Sequence, residues 1–348
     1  MANKTKKTNQ QIVNETIELL NSSKGEWEKK YEEHATYILK NIEKYEMNGK
    51  KFQVNFPLSA YTSISKIKKS TTEYDIRFLG QSIGTLSVKA DDEKNFQRVF
   101  SASEGLNDLK NKRNILSLPD ITDVQKVDWE SQIMTKVRSV LQNSVVASTK
   151  SPEHKCENLL LREFNKNKSD IKGLCNIQPV KLANKFIQIT TPLSASKHND
   201  VHISNGVGGG IDILARVKHK GRKASETFLS VIELKDDNRS NEPMSVVIQQ
   251  ALSYATFLAM LLGSKSGHDW WKIFGFNGKT EPPHEIDVVG LMPKGDTESI
   301  ACETFEVGEG EKKFTLNIYT LYFDKDALLN RNAVEFSGSY TDVLLPIK

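Results

Sequence analysis

The segment from 227 to 292 constrains the fold most tightly. "TFLSVIELK", 227–235, places apolar side chains on both faces of an extended chain, so it reads as a central strand. An apolar helical stretch follows at 243–263, and "EIDVVGLM", 285–292, is a further apolar strand. A strand, a helix and a strand in that order close by a right-handed crossover, which makes the two strands parallel and calls for helical cover on the sheet. Upstream, "ENLLLREFNK" at 157–166 has helical spacing, "KFIQITT" at 185–191 is a short strand, and "GGIDILARV" at 209–217 is joined to the central strand by a basic turn. The expected order is therefore α-β-β-β-α-β, an α/β unit with a mixed sheet. Two more runs, "SIACETFEV" and "FTLNIYTLYF", suit a hairpin at the sheet edge.

Residues 1–150 have a different texture. Ile12, Ile17, Leu20, Trp27, Tyr31, Ile38 and Ile42 recur at helical spacing, which predicts one or two amphipathic helices that either pack internally or join two copies as a homodimer. From 51 to 100, alternating runs such as "YDIRFLG" and "IGTLSVKA" predict a small antiparallel sheet. Residues 101–127 are polar and turn-rich, and "DWESQIMTKVRSVLQNSV", from 128, returns to a helix. The Ser, Thr and Pro of "ASTKSPEHK" mark a connector. Two domains are expected: 1–150, an α+β accessory domain for recognition or oligomerisation, and 151–348. The 348 residues, 38% of them hydrophobic, suffice for two cores.

Several function classes recede on composition. A net charge of +4 is too small for the whole surface to grip a polyanion, so any such partner must meet a local patch. Cys156, Cys175 and Cys302 are widely spaced and include no CxxC pair, which argues against a disulfide framework, a zinc ribbon or an iron–sulfur cluster. "MANKTKKTNQQ" has no apolar stretch behind its lysines, and the run at 251–263 is short for a bilayer. The expectation is a soluble cytoplasmic protein with no membrane partner. His198 and His202 in "HNDVH" lack a partner at zinc spacing, and "GVGGG", 206–210, lacks the Gly-Lys-Ser/Thr of a phosphate loop, so its glycines serve a tight turn or a close approach.

What the apolar strands do contain is charge. Asp212 sits among Ile211, Ile213 and Leu214, and Glu233 and Lys235 share a face at the end of the central strand. If the two strands pair around the turn at 218–225, Asp212 and Glu233 meet at one end of the sheet. Two half-buried carboxylates repel unless a cation lies between them, and the cost of leaving such charge uncompensated is several kcal/mol, roughly. Oxygen ligands with partial hydration favour magnesium (Mg2+) or manganese (Mn2+). Lys235 beside such an ion is suited to position an attacking water or to stabilise charge on a phosphate.

Asp212 followed by Glu233-Leu234-Lys235, in this element order, resembles the PD-(D/E)xK, or restriction-endonuclease-like, nuclease superfamily over about residues 152–293. Acid-x-lysine alone is unspecific: Asp108–Lys110, Asp170–Lys172, Glu28–Lys30 and Glu311–Lys313 share the spacing, all in polar or helical context. The apolar strands, the upstream acid and the downstream helix carry the resemblance. Gln250 and Tyr254 in "QALSY", one turn apart, are similar to the Gln-x3-Tyr element of the RecB-like branch. Glu157 matches the first-helix acid that completes the metal site in many members, with Glu153 and Glu163 as rivals and His154 one turn before it.

The resemblance implies an α/β restriction-endonuclease-like core that hydrolyses DNA with Mg2+ or Mn2+. Asp212, Glu233 and Glu157 would hold the metal, and Lys235 would orient the water. Restriction, defence and repair are the implied roles, with endonuclease and exonuclease action both open. A catalytically inactive nuclease-fold scaffold that binds nucleic acid and an RNA-directed nuclease are the alternatives. Lys218, Lys220, Arg222 and Lys223, in the basic turn, are the expected phosphate contacts, provided that the turn lies beside the metal site.

Overall fold

A computed structural model of the chain describes residues 7–62, 71–90, 94–144, 152–165, 177–195, 201–204, 209–223, 225–237, 242–278, 282–295, 298–330 and 334–346. The chain is mixed α/β and divides into two compact units, each discontinuous in sequence. The first comprises Met1–Thr36, Glu163–Val180 and Gln188–Lys348, and the second Tyr37–Arg162 and Lys181–Ile187. This differs from a cut near 150, which the connector composition suggested. Helix Asn9–Ser22 buries Ile12, Val13 and Leu20 and packs on helix Met244–Gly263, so the amino terminus belongs with the carboxy-terminal sheet. A connector signal in composition carries no information about such an exchange.

The sheet of the first unit has the order Thr304–Val307, Phe314–Phe323, Glu285–Pro293, Phe228–Leu234, Ile213–Val217, Ile177–Pro179. Phe228–Leu234 and Phe314–Phe323 both run parallel to Glu285–Pro293, whereas the outer pairings are antiparallel, so the sheet is mixed. Phe228–Leu234 is buried at every position, which is why its sequence lacks the apolar-polar alternation of a half-exposed strand. The connection to Glu285–Pro293 passes through Met244–Gly263, whose buried residues lie all round its surface. That helix is long and apolar enough to cross a membrane, but 78% of its apolar window is buried inside the protein, where it forms the core layer over the sheet. Trp27 and Tyr31, from helix Lys24–Lys40, reach the same helix through edge contacts with Phe257 at 5.6 and 5.0 Å.

One expected strand divides. "KFIQITT" does not enter this sheet as a unit: Lys185–Ile187 pairs parallel with Leu58–Thr62 in the second unit, and Thr190 bridges Gly210 in the first. The position beside Ile213–Val217 is taken by Ile177–Pro179. A three-residue strand carries too little periodicity to stand out in sequence.

The second unit is built on a sheet ordered Val127–Asp128, Phe96–Ala102, Gln81–Ala90, Thr71–Phe78, Leu58–Thr62, Lys185–Ile187, Lys181–Leu182. Thr71–Phe78 alternates buried and partly buried positions, so one face lies on a core. Tyr74, Ile76, Phe78, Leu86, Phe100 and Trp129 form that core with Met134, Val137 and Leu141 of helix Gln132–Asn143.

Candidate active site

Ile213 pairs with Ile232 and Val217 with Phe228, so the register continued by one residue sets Asp212 opposite Glu233. Asp212 is anchored there. Its Oδ2 accepts the main-chain N–H of Leu234 at 2.9 Å, which turns the carboxylate toward the end of the central strand. Glu233 is 1% exposed, and its Oε1 lies 3.4 Å from Lys235 Nζ. Lys235 stays on the sheet by donating its backbone N–H to Leu291 O at 3.0 Å. Glu233 is closed to water, and Asp212 and Lys235 are half-buried beside it, so charge interactions among the three are stronger than at a free surface.

The neighbouring elements pack closely beside Glu233. Gly290 is its partner on the parallel strand, and a Cβ there would run into Met244 Sδ, so the core helix passes close over this face. Farther along that helix, Gln250 hydrogen-bonds Tyr254. The Tyr254 phenol is held well above its ordinary pKa, first by burial and then by the charge of Glu233, with Asp212 acting in the same direction and Lys235 opposing it. Tyr254 is therefore a neutral hydroxyl aimed at the charged cluster. Gly209 marks a close approach: a Cβ at that position would overlap the Tyr254 hydroxyl. The structure accordingly brings Asp212, Glu233, Lys235, Gln250 and Tyr254 together, all within the first unit.

Glu157 lies in the second unit. It is buried, accepts the Tyr61 hydroxyl at 3.2 Å and sits 3.4 Å from His154 Nδ1. Arg77 stacks over the Tyr61 ring at 4.0 Å and pairs with Asp75 at 2.6 Å. Glu163 is also buried, whereas Glu153 is half-buried. Of the two histidines in "HNDVH", His202 is exposed and His198 lies outside the described residues. Among the described residues no group of three or more His, Cys, Asp and Glu side chains converges on one point.

The basic turn is at the wrong end of the hairpin for the role expected of it. Asp212 and Glu233 mark one end of the paired strands and Val217 and Phe228 the other, about 17 Å away for five strand residues. Its residues have local work. Lys220 Nζ donates to the carbonyls of Thr341 and Asp342 at 3.2 and 3.0 Å, and Leu345 donates its N–H to Lys218 O at 2.7 Å. Arg222 pairs with Glu285 and lies over the Phe228 ring. Lys223 sits at the exposed tip, where its carbonyl accepts the Glu226 N–H at 2.9 Å. Lys218, Lys220, Arg222 and Lys223 thus do not border the site, because an antiparallel hairpin separates its turn from its open ends.

The opposite face of the sheet carries a polar network. Asp287, fully buried, meets His219 Nε2 at 2.8 Å and accepts the Tyr340 hydroxyl at 2.9 Å, and Tyr340 also reaches Ser230 Oγ at 2.9 Å. His219 stacks on Phe228 with ring centroids 4.1 Å apart. Burial raises the Asp287 pKa, against the opposing pull of His219 and Tyr340. Asp287, the acid inside the apolar run of "EIDVVGLM", carried the same signal as Asp212, an ionisable group in an apolar strand, but its partners come from segments remote in sequence.

Comparison of the chain with family models, with curated proteins and with solved structures gives no match.

Proposed function

We propose that the chain is a metal-dependent deoxyribonuclease with a restriction-endonuclease-like core, and that Asp212, Glu233 and Lys235 are its reaction centre. The observation that carries this reading is the pairing of Asp212 with Glu233 at one end of the hairpin, with Lys235 3.4 Å from Glu233. The donor set suits Mg2+ or Mn2+: both ions prefer hard oxygen ligands, and Mg2+ is commonly held by one or two carboxylates together with water and substrate phosphate oxygens. Two protein carboxylates are therefore enough, and a third from the first helix is not required by the chemistry. A bound divalent ion supplies Lewis acidity and neutralises charge at the scissile phosphate.

The chain's own groups do the rest. Asp212, pinned by the Leu234 N–H, is oriented without the entropy cost of a free side chain. Lys235 holds the attacking water and offsets the charge that grows on the phosphate as the water oxygen bonds to phosphorus. The attacking water gives up a proton to solvent, one P–O ester bond breaks, and the departing oxygen takes a proton from solvent. Tyr254, neutral and hydrogen-bonded to Gln250, places an uncharged hydroxyl in the field of Glu233 and Asp212.

Incubating the protein with closed circular DNA, linear DNA and RNA, each with Mg2+ or with a chelator, tests the reading. Cleavage of DNA in Mg2+ alone is expected, and the closed circle separates endonuclease from exonuclease action. Binding without cleavage in every metal condition would instead mark a scaffold that has kept the fold and lost the reaction.

A further inference from the structure

The second unit contains a cavity of about 390 Å³ whose walls carry Lys50, Lys51, Arg98 and Arg138. Glu130 lies in the same wall, and Asp128 stands 3.7 Å behind Arg98. Four cations against two carboxylates leave a net charge of +2 (4 − 2) around a space open to solvent. The arginines are held in place. Arg138 stacks on Trp129 at 4.8 Å and pairs with Glu130 at 3.1 Å, and Arg98 donates to Lys51 O at 3.3 Å over the Phe96 ring. The floor is rigid, with Phe52 packed against Tyr74 and Trp129 at 4.7 and 6.4 Å. Arg98 Nε is buried and has no acceptor among the described residues, so the part of this guanidinium that can meet a ligand is its terminal nitrogens. Gln53, Asn55 and Gln142 are exposed around the same space and offer paired amide donors and acceptors.

We infer that this cavity binds one unpaired nucleotide of a DNA strand, with the phosphate on the lysine and arginine side and the base edge against the amides. The inference deepens the nuclease reading and rests on it for the identity of the polymer. Fixed guanidinium groups suit phosphate recognition, and Asn and Gln amides match the donor and acceptor pairs of base edges. A base stacked inside a duplex cannot enter such a pit, so a strand end or a single-stranded stretch is the ligand. Exposed lysines scattered over a surface would lack the pinned arginines and the amide side.

The test is equilibrium binding in a chelator, so that cleavage plays no part. Fluorescence anisotropy of a labelled single strand and of a blunt duplex of equal length is measured for the wild type, for Lys50→Gln with Lys51→Gln, and for Gln53→Ala with Gln142→Ala. Single-strand binding tighter than duplex binding is expected. The lysine double variant should weaken it at least about tenfold at low salt and flatten the slope of log affinity against log salt by up to about 1.4, at roughly 0.7 for each lost single-strand contact. The amide variant should weaken single-strand binding while leaving competition by inorganic phosphate unchanged. Free deoxynucleotide should compete far better than inorganic phosphate; equal competition would mean a bare anion site and overturn the nucleotide assignment. Unaltered affinity and salt slope in the lysine variant would overturn the whole inference. A protein that binds single strands in this way but never cleaves them sinks the hydrolytic reading and leaves the cavity standing.

Discussion

Asp212 and Glu233 face each other across an antiparallel hairpin, and Asp212 Oδ2 accepts the Leu234 N–H at 2.9 Å. One acid is thus held by the backbone of the very strand that carries the other. The arrangement fixes two carboxyl groups at a spacing that the strands themselves enforce, which is the preorganisation that the proposed metal site needs.

Metal and stability should be coupled through this pair. Wild-type protein should melt at a higher temperature as Mg2+ is added, because an ion that binds only the folded state stabilises it by mass action. Asp212→Asn should lose that response. Its amide oxygen can still accept the Leu234 N–H, and one charge of a repelling pair is gone, so without metal it should be at least as stable as wild type. Asp212→Ala, which strands the Leu234 N–H, should cost about 1 kcal/mol relative to Asp212→Asn. A metal-free Asp212→Asn protein that melts well below wild type would identify a structural ion pair instead.

Lys235→Ala separates chemistry from binding. Turnover should fall by about 100-fold or more if the ammonium acts on the transition state, while affinity for DNA in a chelator changes little. Unchanged turnover would remove Lys235 from the reaction.

Gly209→Ala probes the neighbouring tyrosine. The added methyl would overlap the Tyr254 hydroxyl, so the contact between residue 209 and the ring must change and with it the placing of the hydroxyl. Cleavage should drop while the far-ultraviolet circular dichroism stays that of wild type, and Tyr254→Phe should lower it similarly. Full activity in both variants would show that the hydroxyl has no part in ordering the site.

Asp287 gives a pH prediction with a definite sign. Burial raises its folded pKa, so the folded state holds the proton more tightly than the unfolded chain. Stability from this group is full below its ordinary value of about 3.9 and is lost as pH rises through the raised folded value. Asp287→Asn removes the titration. The difference in unfolding free energy between wild type and Asp287→Asn should therefore shift against the wild type as pH rises from 3 toward neutrality, and a difference that is flat with pH would contradict the burial argument.

Much of the first unit was legible in the sequence because its central strands are buried on both faces, and a strand of that kind advertises any charge within it. Asp212, Glu233 and Lys235 stood out for that reason, and the helix spacing of Gln250 and Tyr254 put both on one face. The split of "KFIQITT" and the return of 181–187 to the other sheet were not legible, since short strands lack periodicity and pairing partners are set by tertiary packing. The basic turn misled for a geometric reason: adjacency in sequence to two site-bearing strands says nothing about which end of them it occupies. Nor did any local pattern foretell the cavity of the second unit, whose cations come from segments near 50, 98 and 138 and meet only in the fold.

The most direct test of the central claim is single-turnover cleavage of a labelled DNA by wild-type protein and by Glu233→Gln, each at saturating protein and across a Mg2+ titration. A metal site on Asp212 and Glu233 predicts a cleavage rate that rises with Mg2+ and saturates for the wild type, with no measurable cleavage at any Mg2+ concentration for Glu233→Gln despite retained DNA binding. Equal cleavage by the two proteins, or wild-type cleavage that persists undiminished in a chelator, would contradict it.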